Sequence, residues 1–576
     1  MHTVCEATER VIRQLVEALL YENLVVFEEV LQQNNTCIYY IQGQSEQYVC
    51  TGKRTGFERV RLKSDIKHRS GAPVLLHELV AELLPTAVQS EILYELERTI
   101  YFSNWNKMNV NHILRRQMNY EELESAIDEG HPYHPCYKAR TGFSDYDHER
   151  FGPEAGGAFY LYWLAVKREH TKLMLPTEEQ SFWQKELGGY DWKMLITELY
   201  QQGGNIMDYT FLPVHPWQWK QCKEKWEQLL TEKEIIPLCY AGDLYRATQS
   251  IRTLWNQDDP LKSHIKLSLN MSNTSAKRVL APESVTSAPA VSRWLRTVIS
   301  SDSYFQSCGF QILEEYAGIV YDPASIQLRA LTEGQLGVIW RKSVRHYVNE
   351  GENVLPFTAL LVTEEDHAPF VDTWIQKYGL QAWFTQLVNV AVLPVWHLLL
   401  AHGIAIEAHA QNVLLVHKEG WPLRVIARDF HESVEYTEEF IANGEWVPDF
   451  STYHERYQQV KPDNYFCMSS VEALRELFTD TMFVFHFSEL IYVMSEYYKV
   501  DELLFWKLIY KAINLHIESM PHLRERAEQL CWQDSFVQVE SLLKKKIYNT
   551  KSEYHHMVRN TLADAADKGD ISHVIC

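Results

Sequence analysis

The sequence predicts an α+β protein in which mixed helices and antiparallel sheets form two or three fused units, and three observations carry that expectation. The chain has 576 residues, several times what one core of about 100–200 residues needs. Segments with apolar residues at helical spacing alternate with segments that repeat every two residues. No long linker separates them, so the units are expected to be lobes sharing one cleft.

Taken in order, the chain opens with Val4, Ala7, Val11, Leu15 and Leu19 at helical spacing, with Glu and Arg between them. That is an amphipathic helix; a signal peptide would need a basic start and an unbroken apolar run. Residues 1–125 read as mainly helical, with strands at Cys37 to Ile41 and Glu58 to Leu62. The stretch Glu129 to Pro153, rich in Gly, Pro and His, reads as a structured loop and a boundary. Residues 155–365 mix helix and strand. An apolar helical stretch then runs from Trp374 to Leu400, followed by a hairpin and more helices. Ser469 and Glu472 spell a capping box ahead of Leu474, Leu477 and Phe478. The most apolar run, Val388 to Ala401, is too short to span a bilayer, and its His397 reads as a satisfied core residue. Lys544 to Lys546 reads as a solvated helix face.

Hydrophobic residues make up 46% of the chain and charged residues 23%, which argues against extensive disorder. The net charge of −21 gives a global field that repels nucleic acid and anionic membranes. An anionic substrate would therefore need a local cationic pocket built against that field. Ten scattered cysteines with no C-x-x-C pair fit reduced thiols, so the expected location is the cytoplasm.

Two segments supply candidate chemistry. In the first, Thr248, Ser250 and Arg252 alternate on an expected strand, with Thr253 next to them. His264, Lys266, Ser268 and Asn270 alternate with Ile265, Leu267 and Leu269 on a second strand. Thr274 or Ser275 would then cap a helix whose first turn carries Arg278. Strand face, helix N-terminus and arginine would make an anion cradle; a solvated outer sheet face fits the same alternation.

The second segment is a hairpin. Val413 to Val416 and Leu423 to Asp429 flank a turn at Gly420, which brings Asn412 opposite Asp429, with Glu407 and His409 just before. Their oxygens suit Mg²⁺; the alternative is that Asn412 and Asp429 serve only as turn and cap residues. Protein kinases show a similar layout, with an acidic residue five before a metal-binding Asn and a later Asp. A zinc reading of His131 and His134 lacks a third ligand.

Six ordered blocks then resemble the NRPS-independent siderophore synthetases, the IucA/IucC or aerobactin-synthetase-like family. They are Gly130-His-Pro-Tyr-His-Pro-Cys-Tyr-Lys-Ala-Arg-Thr-Gly-Phe143; His215-Pro-Trp-Gln218; Ser250 to Thr253; Lys266 to Leu269; Thr274 to Arg278; and Glu407 to Asn412 with Arg428-Asp429. Thr248 stands where the family has a serine. The first 125 residues carry no matching motif.

The resemblance implies a hand-like fold of thumb (1–150), fingers (151–365) and palm (366–576), the palm loosely kinase-like, with ATP between fingers and palm. It implies adenylation of a carboxylic acid, citrate or a citrate-derived acid before α-ketoglutarate, then condensation with an amine or alcohol. On this basis ATP would meet Ser250, Arg252, Thr253, Lys266, Arg278, His131 and Lys138. The carboxylate would meet Thr274, Ser275, Arg278, His409 and Gln411; Arg278, His409 and Asp429 would be catalytic; Glu407, Asn412 and Asp429 would hold Mg²⁺. Dimers are common in the family, which makes a homodimer one candidate assembly. The rival functions are a kinase-like phosphotransferase that releases ADP, for which no Gly-rich phosphate loop is visible, and a non-catalytic siderophore- or iron-binding protein.

Overall fold

A computed structural model describes residues 6–32, 36–110, 113–274, 276–459, 461–548 and 554–567. Val4, Ser275, Cys5 and Cys576 lie outside the described residues. The eight described cysteines are all free thiols.

The N-terminal helix, Glu6–Tyr21, buries Val11, Leu15 and Leu19. It packs on a five-stranded sheet of Val26–Leu31, Cys37–Gln42, Gln47–Arg54, Val60–Leu62 and Lys67–His68. More strand is present than the sequence suggests, because Val26–Leu31 is a half-exposed edge whose alternation is weak.

An eight-stranded antiparallel sheet forms the middle of the molecule. Its spatial order is Thr171–Met174, Glu315–Tyr321, Gly337–Arg341, His264–Leu267, Thr253–Asn256, Ile235–Ala247, Phe159–Lys167 and Tyr209–Val214. Both faces of its central strands are buried, so His264 and Lys266 are enclosed and not solvated. That outcome removes the outer-face alternative for this strand.

The third part holds a four-stranded sheet of Gln311–Ile312, Trp421–Ala427, Val413–Lys418 and Asn353–Pro356, backed by helices. The apolar run between 374 and 400 is broken at Gly379, whose φ is 83°, into the helices Asp372–Tyr378 and Leu380–His402. Two helices, Leu380–His402 and Val471–Tyr498, are long and apolar enough to cross a membrane, but 72% and 83% of those windows are buried inside the protein. His397 is enclosed and bonded to Asp302 and His516. The cap of the later helix is Ser470, one residue beyond the expected Ser469, and Lys546 pairs with the buried Glu95, so that lysine does not face solvent.

One hydrophobic core runs through both ends of the chain. Val11 to Ala139 contribute to it together with Val291 to Ala565, while Phe102 to Trp340 build a second core around the eight-stranded sheet. Each buried large side chain contributes about 1.5–3 kcal/mol. Polar links cross the same junction. The Arg59 guanidinium donates to Val484 O at 2.7 Å and Glu489 at 2.8 Å, and Arg61 pairs with the same Glu489 oxygen at 2.7 Å. Phe57 packs edge-on against Trp506.

Replacing Glu489 by Gln leaves two enclosed guanidiniums without their shared counter-charge. The expected loss is about 3–5 kcal/mol, read as a fall of several degrees in the thermal midpoint; an unchanged midpoint would show that the junction does not depend on this pair.

Candidate functional site

A cleft of about 1270 Å³ opens where the three parts meet, and it is lined from the N-terminal helix, the middle sheet, the 407–433 hairpin region and the 470–493 helices.

The cationic wall comes from the middle sheet. Thr248 to Arg252 form a tight turn between Ile235–Ala247 and Thr253–Asn256, not the expected strand. Ile251 N donates to Thr248 O and Arg252 N to Ser250 O, both at 2.8 Å, and Ile251 has a φ of 62°. A left-handed β-branched residue is strained, and Ile251 is held there by complete burial. The turn projects Ser250 and Arg252 into the cleft, while Thr253 is buried behind them with its hydroxyl 3.1 Å from that of Ser250.

The expected helix start at Thr274 is also corrected. Leu269–Asn273 and Ala276–Arg278 pair as a small hairpin with Thr274 at its turn, φ 62°, and the next helix begins only at Pro282. Among its described residues, the 269–278 segment therefore supplies no helix N-terminus to the anion cradle. Arg278 still reaches the cleft from the strand, as Thr274 does from the turn.

Arg252 and Arg278 are the unusual charges. Arg252 donates to Val279 O and Arg278 to Asn273 O, and neither has a carboxylate within ion-pair distance among the described residues. Arg278 Nε is buried with no partner among the described residues. Burial, with repulsion from Arg252, pushes the Arg278 guanidinium down to about 10. Carboxylates act on both only from beyond ion-pair distance, Glu432 on Arg252 and Glu407 on Arg278; two cations enclosed in this way are costly, and a bound anion offsets that cost.

The hairpin region lines the same cleft and adjoins this wall through Asp429. Its turn is Glu419-Gly420, both at positive φ (50° and 88°), which matches the twist of the flanking strands. A Cβ on Gly420 would lie 2.2 Å from Trp374, so only glycine fits. An irregularity between Val416 and His417 shifts the register, and Val413 faces Ala427. Arg428 N then donates to Asn412 O, which corrects the expected 412–429 pairing by one residue.

Asp429 follows at φ 66°, and its Oδ1 accepts from Lys266 Nζ at 3.0 Å and Arg341 at 2.9 Å. Burial alone would raise its carboxyl; Lys266, Arg341 and Arg428 hold it well below the usual carboxylate range. Glu407 Oε2 accepts from Ser433 and lies near Asn412 Nδ2, whose amide donates to Glu407 O at 3.0 Å. Asp429 Oδ2, Glu407 Oε1 and Asn412 Oδ1 carry no hydrogen bond among the described residues. By donor type such oxygens suit a hard cation like Mg²⁺.

His409 and Gln411 line the cleft, with His409 Nε2 3.7 Å from Glu407. Their loop is held from behind: Ala408 N donates to Thr481, and His486 Nδ1 donates to Ala408 O at 3.1 Å. His131 also lines the cleft, its Nδ1 accepting from Tyr133 N and His134 N, which leaves Nε2 to carry the proton. Lys138 does not. It is 1% exposed and pairs with Asp128 and Glu154, inside a buried network with Arg140, which corrects its assignment to the nucleotide.

Sequence reasoning missed Arg341, His431 and Glu124. Arg341 and Lys266 grip Asp429 from adjacent strands; His431 Nδ1 lies 3.4 Å from Lys266 Nζ; Glu124 pairs with Arg428 at 2.7 Å. Arg341 ends an apolar strand with no polar alternation to flag it, whereas His431 lay two residues past the Asp429 motif. The motif-free N-terminal region also reaches the cleft, through Arg10, Gln14 and Glu17.

The IucA / IucC family model matches residues 119–362, and a model described as ferric iron reductase FhuF-like transporter matches residues 381–555. That second segment holds only Cys467 and Cys531, too few thiols for a Cys-ligated redox cluster. The chain is 35% identical to the citryl-spermidine/3,4-dihydroxybenzoyl-citryl-spermidine:spermidine ligase of Bacillus anthracis, over 96% of this chain and 93% of that protein. Its fold matches petrobactin biosynthesis protein AsbB of Bacillus anthracis with a TM-score of 0.92, at 34% identity over 97% and 96% of the two chains. ATP-bound aerobactin synthetase IucA of Klebsiella pneumoniae shares the fold at a TM-score of 0.74 and 16% identity, over 97% of this chain and 100% of that one.

Burial makes the protein sensitive to acid. It pushes His131 and His486 down to about 3, and His417, His516 and His556 to about 4. The unfolded chain takes up these protons near pH 6.5 and the folded chain does not. The stability from neutral burial is complete above pH 6.5 and is lost as pH falls toward 4, each group steepening the loss by about 1.4 kcal/mol per pH unit. Thermal midpoints measured from pH 8 to 4.5 should be level above pH 7 and fall progressively below 6.5; a level profile throughout would contradict the buried neutral histidines.

Proposed function

The chain belongs to the IucA/IucC family of NRPS-independent siderophore synthetases, and from that membership we propose that it adenylates citrate or a citrate-derived acid with ATP and joins the acyl group to an amine. The observation that carries this reading is the pair Arg252 and Arg278, enclosed and with no carboxylate within ion-pair distance among the described residues, in a cleft that the Glu407–Asp429 region also lines. A chain of net charge −21 has concentrated unpaired cations where two mutually repelling anions would have to meet.

The first half-reaction joins a carboxylate oxygen to the α-phosphorus and breaks the bond to the bridging oxygen, whose electron pair leaves with pyrophosphate. Arg252, Lys266 and Ser250 are assigned to the phosphates. Arg278 sits close enough to Arg252 to feel its charge, so it is assigned to the junction of phosphate and carboxylate, where bidentate donation stabilises charge as it spreads. Thr274, His409 and Gln411 are assigned to the remaining carboxylate oxygens of the acid. Glu407, Asn412 and Asp429 would hold Mg²⁺, which would supply further neutralisation at the phosphate oxygens. Asp429, pinned by Lys266 and Arg341, keeps its outer oxygen in place for that role.

In the second half-reaction the amine nitrogen forms a bond to the acyl carbon, and the acyl–oxygen bond breaks with its electron pair going to AMP. His131 presents a neutral imidazole at the cleft and so adds a hydrogen-bond donor without further charge.

Arg278→Ala is expected to lower citrate-dependent pyrophosphate release by about 10²–10³-fold, the scale for losing one aligned donor to a charged transition state. The assay is pyrophosphate release with nucleotide products separated chromatographically. Near-normal release by the variant would remove Arg278 from this role, and accumulation of ADP in place of AMP would point to phosphotransfer.

A further inference from the structure

The helix Leu380–His402 carries two histidines near its end, and both turn to one aspartate. His397 Nε2 lies 3.0 Å and His402 Nε2 2.8 Å from the same oxygen, Asp302 Oδ2. Asp302 stands at the corner between the helices Pro282–Ser301 and Ser303–Cys308. The three ligand atoms lie within 4.8 Å of one another, and none of the three residues lines the cleft. The nucleotide and acid chemistry therefore makes no direct use of them.

The donors are held in place from behind. Asp302 Oδ1 accepts from Tyr304 N at 2.7 Å, which fixes the carboxylate and leaves Oδ2 to the imidazoles. The Tyr304 ring sits 4.3 Å from the His397 ring, and Phe305 stacks on His402 at 5.7 Å. His397 Nδ1 lies 2.9 Å from Nε2 of His516, on the helix Glu502–Ser519. The His397 side chain is 3% exposed, but 12% of the His402 side chain and 19% of that of Asp302 reach solvent, so an ion has an entry path. Arg526, whose charge acts on His402, is tied to the carbonyls of Leu400 and Phe440.

We propose that Asp302, His397 and His402 bind one divalent first-row transition ion of the Zn²⁺ type, which clamps the end of the Leu380–His402 helix to the corner at residue 302. The site is independent of the ligase reading. Two imidazoles and a carboxylate are a donor set for such ions, and three protein ligands leave a position for water. Ligand atoms about 2.0–2.1 Å from a tetrahedral ion stand about 3.3 Å apart. The separations of 2.8 and 3.0 Å are near that value. A purely hydrogen-bonded cluster would instead place both Nε2 protons on Asp302 and make His397 Nδ1 an acceptor from His516. Convergence of two ring nitrogens on a single oxygen, at an edge that solvent reaches, favours the ion. With the ion present the His397 proton sits on Nδ1 and is donated to His516 Nε2, the outer hydrogen bond that orients a ligating histidine. The clamp bears on the cleft through the chain itself: Gly403 follows His402, and the strand Ile404–Ile406 leads directly to Glu407.

The test strips the full-length protein with a chelator and titrates it with Zn²⁺ by calorimetry, with and without excess Mg²⁺. The expected result is one tightly bound Zn²⁺ per chain, indifferent to Mg²⁺, and a thermal midpoint raised by a few degrees once Zn²⁺ exceeds its Kd about 100-fold. Asp302→Asn keeps a residue able to cap the Ser303–Cys308 helix, so it retains the fold; it is expected to weaken Zn²⁺ binding about tenfold or more and to abolish the rise in midpoint. His402→Gln removes a ligand from the other helix and is expected to do the same, which keeps the test open should the first variant fold poorly. Co²⁺ serves as a spectroscopic probe, and its visible bands in the unsubstituted protein should be altered or lost in either variant. No saturable Zn²⁺ uptake up to about 100 μM overturns the proposal and leaves a hydrogen-bonded cluster. Uptake that both variants retain unchanged also overturns it, since the ion would then lie elsewhere, as does displacement of Zn²⁺ by Mg²⁺, which two imidazoles should not permit.

Discussion

The Asp429 carboxylate is where the two main walls of the cleft meet, and the geometry of the site depends on its being held. It comes from the hairpin region, yet its partners Lys266 and Arg341 stand on paired strands of the middle sheet. The adjacent Arg428 turns the other way and grips Glu124 and Tyr120. Two consecutive residues thus tie the hairpin to two other parts of the chain. In a low-dielectric setting such links are strong only when every partner is present, so the cleft is fixed as a unit.

The charges that remain after this pairing define what the cleft is for. Lys266 shares its charge with Asp429, and Arg140 and Lys138 pair with Glu154, but among the described residues Arg252 and Arg278 bond only to carbonyl oxygens. The protein gives up stability to keep them enclosed, and a strained Ile251 turn belongs to the same arrangement.

How far this was legible in the sequence depended on whether a residue's role was local. The Val413–Ala427 hairpin could be read because two apolar runs flank a Gly turn, and the His264 to Leu267 strand from its period of two, though not the burial of both its faces. The Thr248–Arg252 and Thr274–Arg278 segments were misread as strand and helix start. Both contain a non-glycine residue at positive φ, Ile251 and Thr274, imposed by tertiary packing that local propensity does not report. Lys138 looked like a phosphate ligand because its buried partner, Glu154, lies outside the motif. Arg341 and Glu124 were invisible because their partners are tens to hundreds of residues away.

The shared core of the two chain ends has a consequence for synthesis. Glu22 accepts hydrogen bonds from Leu543 N and Lys544 N, and Phe57 N donates to Thr561. A ribosome that has released the first 139 residues has not yet made the surface against which they fold. The N-terminal helix and sheet must therefore wait, partly assembled and with apolar faces open, through most of translation, which makes this segment the natural client of a chaperone.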